Sequence, residues 1–187
     1  MWRLAGYAGA AQLGCALLGL GLGSPAGLQG AIVQLAALAA SVTALIAAAV
    51  LGGVNGTLVS LDGLGRRAPI AGAIMIVAAL GLMGAPLTLS FLGRWLLVEA
   101  ALGVGWWWAA MTTIAASLAA SYYGGHLIER VYFRRATQAP SAGQRFGKVA
   151  LVPAIIFAVV MIFSAIEPGI VLNVAALASR TLVEGGQ

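Results

Sequence analysis

Read for its apolar runs, the chain divides into stretches at about Leu4–Leu22, Ala31–Val54, Pro69–Leu102, Trp106–Tyr123 and Val149–Val171, and the segments between them hold most of the charged residues. A helix needs about 20 apolar residues to traverse a hydrocarbon layer about 30 Å thick. The pattern predicts an all-α polytopic membrane protein of about five transmembrane helices, a single transmembrane domain over residues 1–187. The third stretch is too long for one straight crossing, since about 34 residues at 1.5 Å each rise roughly 51 Å. Its interruption falls at Gly84-Ala85-Pro86-Leu87-Thr88-Leu89-Ser90, where Pro86 lacks an amide donor and Gly84 relaxes the backbone. Half-helices over Pro69–Met83 and Phe91–Leu102 are expected on either side. Unwound backbone at membrane depth is tolerated only where it is buried in protein or lines a wet cavity, and broken helices of this kind point to ion sites.

Composition agrees with a lipid solvent. The chain is 61% hydrophobic and 8% charged, with mean hydropathy +1.01. A soluble domain keeps about a quarter of its residues charged. The net charge of +5 lies in loops between apolar runs rather than in a basic domain, so it speaks for membrane orientation and against nucleic acid. With one cysteine, Cys15, there is no disulfide framework and no cysteine metal cluster. No nucleotide loop, HExxH or Ser-His-Asp spacing is present, so no catalytic residue, cofactor site or metal site is expected. Met1 to Arg3 lacks the basic region and cleavage site of a signal peptide and reads as the start of a first helix.

Five spans place the amino terminus, the second–third loop and the fourth–fifth loop on one side. Those segments carry Arg3, Arg66, Arg67, Arg130, Arg134, Arg135, Arg145 and Lys148, whereas the tail beyond the last span has only Arg180. The excess of positive charge puts the amino terminus on the cytoplasmic or matrix side of an inner membrane, with 134–148 an inner-side loop. Trp106, Trp107 and Trp108 then anchor the outer interface.

Ionisable residues inside a membrane are costly and mark an ion path or a partnered charge. Arg94, about one turn beyond the interruption, is the first proton-path candidate; a structural ion pair or a side chain reaching for the interface is the alternative. Glu99 lies roughly 140° around the helix from Arg94 and is not spaced to pair with it. Histidine is the side-chain type that ordinarily changes charge near neutral pH, so the lone one, His126, is a relay candidate, against which stands an ordinary interfacial role. Glu167 reads as an interfacial residue before a helix-ending proline. Gln34, Ser41, Thr43, Thr112, Thr113, Ser117 and Ser121 suit a water wire or interhelical hydrogen bonds equally well. Small-residue stretches at Leu18–Gly23 and Ala36–Ala40 predict close helix packing.

The segment from Leu82-Met83-Gly84-Ala85-Pro86 through Thr88, Phe91, Gly93, Arg94 and Trp95 resembles the broken-helix signature, L-x-G-I-P-P-T-x-G-F-x-G-K-F, of the antiporter-like, proton-conducting membrane subunits of respiratory complex I. The match rests on Gly84, Pro86, Thr88, Phe91 and Gly93. Arg3-Leu4, Tyr7 and Gln12-Leu13-Gly14, then Trp106–Trp108, Ser121-Tyr122-Tyr123 and Glu167-Pro168-Gly169, resemble flanking segments of the same family. Within it the pattern is most similar to the carboxyl-terminal helices of subunit 2, chain N in bacteria.

The resemblance implies a membrane-arm subunit of an NADH:quinone oxidoreductase that contributes part of a proton-translocation half-channel and does no redox chemistry itself. It implies membrane lipids and other membrane-arm subunits as partners, including a separate chain supplying the amino-terminal helices that full members carry. Arg94 stands where the family usually has lysine. Arginine is in effect always charged, so the lysine's alternation between protonation states does not transfer to it. Other readings stay open: a subunit of a cation/proton antiporter or membrane-bound hydrogenase, or a non-conducting scaffold. Mitochondrial and bacterial inner membranes are both compatible.

Overall fold

In the computed structural model the described residues are 2–55, 57–135, 152–153, 155–160, 163 and 167–184. All regular structure among them is helical. The main helices are α1 (Trp2–Gly21), α2 (Pro25–Leu51), the short α3 (Leu64–Arg67), α4 (Pro69–Met83), α5 (Leu89–Gly103), α6 (Trp107–Tyr132) and α7 (Pro168–Glu184). The loop expected over 134–148 lies, apart from Arg134 and Arg135, outside the described residues.

α1 and α2 are each long and apolar enough to cross a membrane. Among the described residues, a third crossing by that measure arises only if Val59–Arg67 and Pro69–Met83, which meet at 120°, are taken together. α4 and α5, at 15 residues each, are shorter than a full crossing.

α2 is the central helix, packed against α1, α4, α5 and α7. Alanines make this possible: Ala37, Ala44 and Ala48 are fully buried and let neighbouring backbones approach. At Gly19 an added Cβ would lie 2.8 Å from the Gly27 carbonyl oxygen and 3.1 Å from the Ala31 Cβ, so within Leu18–Gly23 it is Gly19 that serves helix contact, whereas Gly21 and Gly23 have open space around them. A core of Leu45, Leu61, Leu64, Met75, Leu127 and Val131 joins α2, α4 and α6. Outward faces stay apolar, with Tyr7, Leu17, Leu118 and Tyr122 exposed. In water that surface would be a liability; against lipid or further helices it is expected.

Helix ends follow local chemistry and correct three expected boundaries. α2 begins at Pro25, not Ala31, because the Ser24 hydroxyl accepts from the Gly27 amide at 3.1 Å and Pro25 takes the first helical position. α5 begins at Leu89, not Phe91, because Thr88 caps it by accepting from the Phe91 amide. α6 continues past Tyr123 to Tyr132, with Gly124 packed against Met83 and Gly125 helical beside it. At that far end Arg130 pairs with Asp62 at 3.2 Å and its carbonyl accepts from the Gly63 amide at 3.1 Å, so the α2–α4 connector and the end of α6 meet.

Candidate functional site

The last four carbonyls of any helix lack intrahelical partners. At the end of α4 each has a distinct solution. Gly84 turns left-handed, at φ +71°, so its amide donates to the Gly81 carbonyl at 3.1 Å and the Ala85 amide to the Leu80 carbonyl at 3.0 Å. The Leu82 and Met83 carbonyls are taken by side chains from elsewhere. Arg94 Nη2 donates to Leu82 O at 3.1 Å, Arg94 Nη1 donates to Met83 O, and Gln12 Nε2 from α1 donates to Leu82 O at 3.1 Å. The turn Ala85-Pro86-Leu87-Thr88 follows, closed by the Thr88 hydroxyl donating to Ala85 O at 2.7 Å. Leu87 has φ +67° and is largely exposed, an unusual conformation for a bulky residue and a sign of local strain.

Arg94 is therefore held by the negative end of α4 rather than by a carboxylate. It is only 6% exposed, and Nη1 also donates to Ser117 Oγ on α6 at 2.9 Å. The α4 dipole supplies the equivalent of about half a negative charge at this end. Gly84 makes the approach possible, because a Cβ there would lie 2.6 Å from Nη1 and 2.8 Å from Cζ. A polar chain runs on through the bundle: Gln34 Nε2 on α2 donates to Gln12 Oε1 at 3.3 Å and lies 3.5 Å from Ser90 Oγ on α5. Five helices thus meet around the interruption. Two buried atoms in this group, Arg94 Nε and Gln34 Oε1, have no hydrogen-bond partner among the described residues.

Against Arg94 lies a cavity of about 470 Å³ between α1, α4 and α6. Its walls are small and apolar, including Ala8, Ala11, Ala116 and Ala120, and its polar lining comes from Arg3, Tyr7 and Tyr123 besides Arg94. A buried cation that touches helix-terminal carbonyls and opens on a cavity can fix an anion, or order water and shape the field a proton meets.

Residues 1–119 match the model of the NADH:quinone oxidoreductase/Mrp antiporter transmembrane family. The chain belongs to that family. NADH-quinone oxidoreductase subunit N 2 of Solidesulfovibrio magneticus is 32% identical over 133 residues, covering 70% of this chain and 28% of that protein. Subunit N of Desulforudis audaxviator is 28% identical over 150 residues, covering 78% and 30%. The chain thus spans about a third of the length of the curated relatives it matches. Two solved structures share the fold: a chain of the Mrp complex from Dietzia (TM-score 0.77, 21% identity, 91% of this chain and 40% of that one) and one of respiratory complex I from Thermus thermophilus (TM-score 0.60, 22% identity, 91% and 44%).

Within this family fold the motif residues have separate jobs. Gly84 forms the left-handed turn, Thr88 caps α5, and Pro86 occupies an exposed corner. Phe91 stacks with Trp95 at 6.4 Å on the outer face. Gly93 lets α5 meet α2, since a Cβ there would lie 2.7 Å from Gln34 Oε1 and 3.0 Å from the Gln34 backbone nitrogen.

The three proton-path candidates do not converge. Glu99 is exposed and makes no ion pair with Arg94. His126 does not line the cavity. It has two partners on its own helix: Nδ1 lies 3.3 Å from Glu129 Oε2, and Arg130 Nε donates to Nε2 at 3.4 Å. Both partners sit three and four residues on, where helix surface neighbours fall. The hydrogen bond from Arg134, 3.2 Å away, is the main cause holding the Glu129 carboxyl below its ordinary value.

Most of the hydroxyls suggested for a water wire bond back to their own helix. Thr112 and Thr113 donate to the Ala109 carbonyl, Ser121 to Ser117 O, and Ser41 to Ala37 O. Ser117 does so as well, toward Thr113 O, while accepting from Arg94. Gln12 is the residue that sequence reasoning missed. It entered only as part of a flanking motif, yet it is 1% exposed and joins α1 to the end of α4. The available signal was a full amide inside an apolar run, which membrane helices retain where it bonds across to another element.

Proposed function

We propose that this chain is a membrane-arm subunit of an NADH:quinone oxidoreductase, equivalent to the carboxyl-terminal part of a subunit-N-like protein, and contributes part of a proton-translocation half-channel. The observation that carries the reading is Arg94, a permanent cation buried at the junction of α4 and α5 beside a cavity, in a chain whose curated relatives carry the subunit N name. In this reading α4 and α5 are the halves of one broken span, five spans cross an inner membrane, and the amino terminus faces the cytoplasm or matrix. Arg94 sets a fixed positive field at mid-membrane, while protons move on water and on groups that titrate. A separate chain supplies the amino-terminal helices of the subunit. A cation/proton antiporter subunit is the competing reading, and it keeps the same bundle.

Tagging the full chain in its native host, extracting it in mild detergent and identifying what co-purifies tests this. Recovery of NADH-oxidising and other membrane-arm subunits, with a further polypeptide carrying the remaining helices, supports the proposal. Recovery of antiporter or hydrogenase subunits alone, or of this chain alone, rejects it.

A further inference from the structure

We propose that the cavity between α1, α4 and α6 holds one acyl chain of a phospholipid whose phosphate rests on Arg3. The inference rests on the reading above only in that α1 crosses a bilayer with its amino-terminal end at the interface.

The cavity has a charged end and an apolar body. Arg3 lines it and is exposed, and among the described residues no carboxylate pairs with it. Trp2 beside it is exposed as well, and tryptophan is the residue that settles at the headgroup level of a membrane helix. Further in, the walls are Leu4, Ala8 and Ala11 on α1 and Ala116 and Ala120 on α6. Such side chains supply no hydrogen-bond partners, so water is a poor filling for a space of about 470 Å³.

Depth sets the class of ligand. Gln12 donates to the Leu82 carbonyl that Arg94 also holds, so Gln12 and Arg94 stand at one level. Residue 3 precedes residue 12 by nine positions on α1, which is about 13 Å along the axis at 1.5 Å per residue. One leaflet contributes about 15 Å of a hydrocarbon core about 30 Å thick. A phosphate at Arg3 therefore leaves a length of cavity that a single acyl chain fills, from the interface to near the middle of the bilayer.

The deep end offers little to a polar group. Arg94 donates to Leu82 O, Met83 O and Ser117 Oγ, and its unpartnered Nε is closed off rather than turned to open space. A headgroup lowered to that depth would lose its water for few new bonds, a cost that the end of an alkyl chain does not carry. Width decides between a chain and a helix. α1, α4 and α6 touch one another around the cavity, so a helix about 10–12 Å across does not enter, whereas one hydrocarbon chain does. Tyr7 and Tyr123, both strongly exposed, lie along the edge by which it enters. A chain lodged there covers Arg94 on its cavity side and keeps water from reaching the cation by that route.

The test is photolabelling of the assembled complex in vesicles containing phosphatidylglycerol with a diazirine at the end of one acyl chain, followed by mass spectrometry of the labelled peptides. Label is expected on Ala11, Ala116 and Ala120. Arg3→Gln removes one charge at an exposed position and should cut that label about fivefold while label on the outward Leu118 stays constant. Ala120→Leu fills the cavity and should abolish the cavity label; Arg3→Gln, on the surface, carries the test alone if that variant fails to assemble. An unlabelled cavity, cavity label indifferent to Arg3→Gln, or a loss no greater than at Leu118 would each overturn the proposal. Subunits identified in the same sample keep the two readings apart. A labelled cavity among antiporter subunits rejects the oxidoreductase assignment alone, whereas an unlabelled cavity in an NADH-oxidising complex rejects the lipid site alone.

Discussion

Gly84→Ala concentrates the logic of the site into one methyl group. Its first cost is conformational: at φ +71° and ψ +40°, an alanine loses about 1–2 kcal/mol that glycine does not. Its second is contact. The new Cβ would lie 2.6 Å from Arg94 Nη1, 2.8 Å from Cζ and 2.9 Å from Nε, so the guanidinium must retreat by roughly 0.8 Å to reach ordinary separation. That movement pulls at least one of its bonds to Leu82 O, Met83 O or Ser117 Oγ beyond useful length, at about 1.5–3 kcal/mol for a charged donor. The sum is about 2.5–5 kcal/mol. The assay is equilibrium unfolding of the purified full chain in mild detergent, with Gly84→Asn and an Arg94→Met background alongside. Asparagine tolerates the left-handed turn but keeps the clash, so it should recover only the conformational part. In the Arg94→Met background Gly84→Ala should cost about 1–2 kcal/mol, a coupling of about 1.5 kcal/mol or more. A loss below about 1 kcal/mol, or the same loss in both backgrounds, would refute the contact between turn and cation.

Other substitutions separate backbone contacts from side-chain ones. In Gly72→Ala the new Cβ meets the Gly65 Cα at 2.6 Å and should cost about 2–3 kcal/mol in the same unfolding assay. Gly124→Ala meets only the flexible Met83 side chain, at 2.1 Å from Sδ, and should cost less than about 1 kcal/mol. Leu87→Gly relieves a positive φ at an exposed position and should raise stability by about 0.5–1 kcal/mol, after the extra chain entropy of glycine is subtracted; a loss there would mean that the Leu87 side chain packs on something. Asp62→Asn leaves Arg130 mostly buried and uncompensated, and should cost about 3 kcal/mol; proteolysis between α2 and α4 should rise with it.

How much of this was legible in the residues depends on how local each cause is. The interruption was readable because glycine and proline act on their own backbone: Gly84 takes the left-handed turn and Pro86 the corner beside it. Helix boundaries slipped where a cap decided them, as with Ser24 and Thr88, since a hydroxyl before an apolar run reads equally well as loop. Arg94 was identifiable as a buried charge, but its partners were not. Backbone carbonyls carry no residue identity, and the Gln12 amide reaches α4 across 70 positions of sequence. His126 shows the opposite failure. Its partners at 129 and 130 were in plain view, and helical spacing alone would have found them. The polar hydroxyls of α6 were ambiguous because a serine or threonine can satisfy itself on the preceding turn without any neighbour.

The proposed place of Arg94 in a proton path is tested most directly by the number of protons translocated per electron. In proteoliposomes of the complex that still assembles with Arg94→Met, normalised to complex content and driven by NADH, the number of protons moved per electron should fall while the peripheral NADH-oxidising reaction per complex is unchanged. An unchanged ratio in an intact Arg94→Met complex would contradict a conducting role and leave the chain as a scaffold.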